Sequence, residues 1–119
     1  MENDLCQRTF DFAVSTIKLL RACPVRKEYD VLRYQLSKSA TAVGANYEEA
    51  QGAFSKEDFA FKISICLKEV RESNYWLRIA KEIISEVDSK KLSQLIHESH
   101  ELKNIFHAIM KKARFREDV

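Results

Sequence analysis

Apolar residues recur at steps of three and four along nearly the whole chain, a spacing that predicts four helices. The third is the clearest. Ser55 with Asp58 three residues on resembles a capping box, and Phe59, Ile63, Cys66, Val70, Ser73, Leu77, Ala80 and Ile84 then alternate steps of four and three. That is the seam through which bundle helices pack. The piece from Phe59 to Leu67 also alternates like a strand, but the helical pattern continues unbroken for several turns and overrides it. A first helix is predicted over about residues 5–22, with Asp4 as N-cap, Gln7 three residues on, and Phe10, Ala13, Ile17 and Leu20 on one stripe. Pro24 separates it from a second, over about residues 27–53, in which Tyr29, Leu32, Leu36, Val43, Tyr47, Ala50 and Phe54 recur at helical spacing. Asp88 or Ser89 caps the fourth, whose inner stripe is Leu92, Leu95, Ser99, Leu102, Phe106, Ile109 and Ala113. The short connections near Pro24, from Gly52 to Ser55 and from Val87 to Ser89 make successive helices antiparallel neighbours. The predicted fold is an all-α, up-down-up-down four-helix bundle.

Two features go beyond a plain core. Beside the apolar stripe of the second helix runs a seam of small and polar residues, Gln35, Ser39, Ala42, Asn46, Glu49 and Ala53. Gln35, Asn46 and Glu49 are expected to form a buried polar seam, with the Asn46 amide hydrogen-bonded to a carboxylate such as Glu69 or Glu72. Gly44 falls in mid-helix, where it costs about 1 kcal/mol against Ala, and close approach of another backbone would explain it. The third helix carries a second stripe, Phe61, Ile65, Glu72, Trp76, Ile79 and Ile83. Either that helix touches two neighbours within one bundle, or the stripe is a subunit interface.

Composition narrows the class. The 119 residues are 45% hydrophobic and 32% charged, with 2 Gly and 1 Pro, which suits one small helical domain over residues 1–119. Twenty Lys and Arg against 18 Asp and Glu give a net charge of +2, which dictates no partner. Met1-Glu2-Asn3-Asp4 leads into no apolar signal-peptide core, and no apolar run reaches membrane-spanning length. Cys6, Cys23 and Cys66 are odd in number and widely spaced, as expected of reduced thiols in a cytoplasmic protein.

Catalytic and metal chemistry find little footing. His97, His100 and His107 all lie on the fourth helix, and no Glu-x-x-His pair of the di-iron kind occurs, so no metal or other cofactor is expected. The carboxylate pairs Glu48–Glu49 and Glu69–Glu72 read as solvated helix surface, and Asp58 with Lys62 as an i,i+4 ion pair. Cys66 sits on the core stripe as an apolar filler. The strongest polar signal is a basic stripe on the fourth helix, Lys103, His107, Lys111 and Arg114, with Lys112 beside it. It would neutralise phosphates, or simply complement the helix dipole. No aromatic–basic arrangement accompanies it, so any nucleic-acid contacts are expected to go to phosphates without reading bases.

The run from Gln35 to Ala50, QLSKSATAVGANYEEA, resembles the characteristic stretch of small bacterial four-helix bundle proteins encoded in intervening sequences of the large-subunit ribosomal RNA gene. Ser55 to Phe59, Lys68-Glu69, Glu72, Tyr75-Trp76-Leu77 and the opening Phe10 to Ala13 extend the likeness over nearly the whole chain. The resemblance implies a non-enzymatic homo-oligomer, typically a pentameric ring. A more distant likeness, to the accessory protein of diversity-generating retroelements, implies work alongside RNA or DNA. Two functions stay open: an oligomeric nucleic-acid-binding accessory protein, and a protein–protein scaffold with no nucleic-acid role.

Overall fold

The computed structural model describes residues 4–117, with side chains described from Asp4 to Ala113. Four helices follow one another: α1 (Asp4–Arg21), α2 (Lys27–Gln51), α3 (Lys56–Ile83) and α4 (Ser89–Glu117). Each packs on its sequence neighbours, and α1 closes the square against α4, where contact is sparsest. The result is the expected antiparallel bundle, 51 Å long and 24 by 20 Å across.

Local chemistry sets the helix ends. Ser55 Oγ accepts the Asp58 amide at 3.0 Å, and Asp58 reaches back to accept the Phe54 amide at 3.2 Å, the reciprocal cap expected at α3. Asp88, rather than Ser89, caps α4 by accepting the Lys90 and Lys91 amides. At the α1–α2 turn, the Arg33 guanidinium donates to the carbonyls of Leu20 (2.6 Å) and Pro24 (2.8 Å), satisfying groups that the end of α1 leaves open. Asp4 is already helical, and Gln7 bonds Asp11 at 2.9 Å instead of closing a cap.

The core follows the α3 heptad. Ile63, Cys66, Val70, Ser73, Leu77 and Ala80 are all fully buried, facing Leu36, Ala40 and Val43 of α2 and Leu92, Leu102 and Phe106 of α4. Tyr47 and Phe106 meet edge-to-face at 5.8 Å across the bundle diagonal. The α1 stripe is rotated from the expected one. Thr9, Phe12, Thr16, Leu19 and Leu20 are buried, while Phe10 is 57% exposed. The two threonines can face inward because Thr9 donates to Cys6 O and Thr16 to Phe12 O, which leaves no unpaired hydroxyl. Phe54 does not extend the α2 stripe. It lies beyond the helix end and is fully exposed.

The expected seam on α2 is not buried within the chain. Gln35 and Asn46 are half-buried and Glu49 is exposed, because they lie at the outer edge of the α2–α3 boundary. The Asn46 amide donates to Ala42 O of its own helix at 2.8 Å, not to a carboxylate. The polar group that does cross this boundary in the core is the Ser39–Ser73 hydroxyl pair, 2.9 Å apart.

Candidate functional site

Helix α3 divides the surface into two flanks of opposite character. Three contacts define its α2 side: Ser73 with Ser39, Tyr29 Oη donating to Ile83 O at 3.1 Å, and Lys62 with Glu49 at 2.8 Å. Lys62 therefore pairs across the helix boundary rather than with Asp58. Along this flank Ile65, Trp76 and Ile79 are half-buried, and Phe61 and Ile83, at 60% and 46%, are exposed. The Trp76 indole donates to Glu72 at 3.1 Å, and Glu69 and Glu49 share the same side. The second stripe of α3 thus meets α2 only in part and leaves an apolar, acid-bordered strip on the outside.

The α4 side is fixed by Asn74 donating to Ser99 at 2.9 Å and Lys81 donating to Ser93 at 3.1 Å. Helical register then places Arg71 and Arg78 along the outer edge of this boundary, and Lys68 on the outward ridge of α3 one turn from Glu72, all three cations exposed. Facing them on α4 are His100, Lys103, His107 and Lys111, of which Lys103 is half-buried and the others exposed. The predicted α4 stripe therefore lies against a second row of cations on α3. From Ser64 to Lys81 on α3 and from Ser93 to Lys111 on α4, no carboxylate falls on this flank, and exposed Glu82, one turn beyond Arg78, ends the α3 row.

The carboxylates of α4 point the other way. Arg8 of α1 grips Glu98 through Nε at 3.0 Å and Nη2 at 2.7 Å and touches Glu101 at 3.3 Å. His97 approaches Glu101 at 3.5 Å. Charge is thus sorted along the middle of α4: Glu98 and Glu101 are tied to Arg8 of α1, while His100, Lys103, His107 and Lys111 stand beside α3. No described residue forms an ion pair with Lys68, Arg71, Arg78, Lys81, Lys103, Lys111 or Lys112. Lys112 lies one residue round the helix from Lys111, off the shared edge and exposed. The Arg114 side chain lies outside the described residues.

An aromatic ring interrupts this strip, contrary to the expectation from helix four alone. Tyr75 is half exposed, with the Arg78 guanidinium 5.8 Å from its ring centroid and the Trp76 ring edge-on at 5.2 Å. Arg78 is held in turn by Asn74, which accepts its Nε–H at 2.9 Å. The sequence contained the signal, since Lys68, Arg71, Tyr75, Arg78 and Lys81 follow steps of three and four. What it lacked was the register that pairs this row with α4.

Other groups offer less. Among the described residues, no three His, Cys, Asp or Glu side chains converge on a point. Burial pushes the Cys66 thiol up to about 12, so it is a poor nucleophile. Between α1 and α4 lies a groove of about 470 Å³, but its charges include the Arg8 and Glu98 side chains that already bind each other. No described helix is long and apolar enough to cross a membrane.

Architecture defines the class first, a small all-α four-helix bundle with one apolar and one basic flank on α3. Within that class, the chain belongs to the 23S rRNA-intervening sequence protein family, whose profile matches residues 1–108. It is similar to a protein of unknown function from the S23 ribosomal protein family of Bacteroides thetaiotaomicron. The two superpose with a TM-score of 0.80 at 28% identity, over 89% of this chain and 97% of the other. Among curated proteins, none matches the chain.

Proposed function

We propose that this protein is a non-enzymatic, homo-oligomeric accessory factor that binds nucleic acid through the α3/α4 flank. One observation carries the reading: two facing rows of Lys, Arg and His with no carboxylate between them, on a chain whose net charge is only +2. A balanced composition sorted into an acid-free strip presents a local field that the net charge hides. Such a strip attracts phosphates and displaces their counterions.

The α2/α3 flank supplies the self-association. Ile65, Trp76, Ile79 and Ile83, with Phe61 at the edge, offer apolar surface that one chain leaves partly open. A ring, the pentamer that the family resemblance implies, would repeat the basic strip around its axis, and avidity would make up for the few cations on each subunit. The three thiols, none in a disulfide, suit work in the cytoplasm. If the apolar strip alone mattered, the protein would be a scaffold, and the same experiment separates the two.

The test is fluorescence anisotropy with RNA at low salt, comparing wild type with Arg71→Glu plus Lys103→Glu. Wild type binds, and the charge reversal abolishes binding without changing the thermal melt. Absence of wild-type binding at low salt would favour the scaffold.

A further inference from the structure

We propose that the α3 ridge bordering the basic strip is a track for single-stranded RNA, on which Tyr75 stacks an unpaired base while Lys68, Arg71 and Arg78 hold the flanking phosphates. This rests on the nucleic-acid reading above and names its ligand.

The argument starts from Tyr75 itself. A tyrosine that is 50% exposed does little for the core, and Tyr75 is not part of the buried cluster. Its ring is nevertheless held. Trp76 packs against it edge-on at an interplanar angle of 74°, and Glu72 pins the Trp76 indole. The Arg78 guanidinium lies over the ring, fixed by Asn74, which in turn donates to Ser99 on α4. A fixed, half-open ring loses little entropy when a base stacks on it.

The cations are spaced to serve that ring. Arg71 lies four residues before Tyr75 and Lys68 seven, about 6 and 10 Å along the helix, while Arg78 lies about one turn beyond. A polynucleotide laid along α3 would pass a charge, a ring and a charge in succession, the combination that binds single strands without sequence preference. On the far side, Lys103 of α4 adds a further cation to the strip.

Duplexes fit this surface less well. The flank is the shallow boundary between two packed helices, with no projecting element to enter a major groove. A base pair inside a stack has no free π-face, so Tyr75 would go unused. RNA is the source of choice because folded transcripts leave loops and bulges unpaired, whereas genomic DNA keeps its bases paired.

The test uses the full chain and three labelled probes: an unstructured single-stranded RNA, the same sequence as duplex RNA, and the same sequence as single-stranded DNA. Wild type should bind the single-stranded RNA more tightly than the duplex. Tyr75→Ala should weaken that binding roughly ten-fold or more and leave duplex binding nearly unchanged. Tyr75→Phe keeps the ring and should restore wild-type affinity. Equal affinity for single strand and duplex, or a Tyr75→Ala variant that binds single-stranded RNA like wild type, would overturn the track while leaving phosphate binding intact. Tighter binding to single-stranded DNA would overturn the assignment to RNA. Failure to bind any of the three would remove the nucleic-acid reading and the track together.

Discussion

Gly44 of α2 lies against Thr9 of α1 so closely that a Cβ at position 44 would sit 3.0 Å from Thr9 Oγ1 and 3.1 Å from Thr9 Cβ. This contact explains a glycine in mid-helix, since the conformation there is ordinary and the space is not. Thr9 cannot easily turn away, because its hydroxyl donates to Cys6 O and its backbone carbon is also within 3.4 Å. Gly44→Ala gains about 1 kcal/mol of helix propensity and loses about 1–3 kcal/mol to overpacking. The expected net effect is a destabilisation of about 1 kcal/mol, measured by urea denaturation. Adding Thr9→Ala removes the Oγ1 contact but keeps the Thr9 Cβ position and its backbone carbon, so it should recover only part of the loss. A Gly44→Ala variant more stable than wild type would refute the account of this crossing.

Ser39 and Ser73 provide a second check on packing. Both are buried, bonded to each other, and placed where α2 and α3 come close. Ser73→Ala strands part of the Ser39 hydroxyl and should cost about 1 kcal/mol. The double change to Ala removes both polar groups and should cost less than the sum of the singles. Additive losses would show that the hydroxyls act independently.

Alkaline pH should loosen the bundle. Burial raises the Cys66 thiol to about 12, above its ordinary value of 9.0, and burial also raises Tyr47. The folded state therefore holds these protons more tightly than the unfolded chain. The stability this contributes is complete below about pH 9 and is lost as pH rises toward 12. Denaturation midpoints should therefore fall as pH rises from about 9 toward 12, and Cys66→Ala should flatten that fall. An equal slope in the variant would place the effect elsewhere. At neutral pH, thiol reagents should reach half-buried Cys6 before Cys66.

Self-association through the α2/α3 flank predicts a clean separation of mass from folding. Phe61 and Ile83 are exposed, so Phe61→Lys plus Ile83→Lys should leave the melting temperature of the bundle nearly unchanged. Light scattering should show wild type as an oligomer and the variant as a smaller species. An unchanged oligomer would move the interface off this flank.

How much of this the sequence disclosed depends on what each feature needed. The α3 heptad needs only its own spacing, and Ile63, Cys66, Val70, Ser73, Leu77, Ala80 and Ile84 are all buried as that spacing predicts. In α1, the apolar pattern pointed to Phe10 and Ile17, yet Thr9 and Thr16 face inward, because their hydroxyls find carbonyls one turn back and cost the core nothing. Spacing suggests a partner for Asn46 on another helix, but an asparagine at a boundary edge can satisfy itself on its own backbone. The basic stripe of α4 was visible and the row on α3 was equally periodic. That they face each other follows from Asn74–Ser99 and Lys81–Ser93, a register that one-dimensional spacing does not contain.

Most direct for the central claim is the salt dependence of RNA affinity, measured for wild type and for Arg71→Gln plus Arg78→Gln. If the α3/α4 flank holds phosphates, log K falls linearly with log salt, and each lost contact reduces the steepness by about 0.7–0.9. The double variant should bind more weakly at low salt and show a line shallower by roughly 1.5. An affinity indifferent to salt, or two parallel lines of equal steepness, would contradict phosphate binding at this flank.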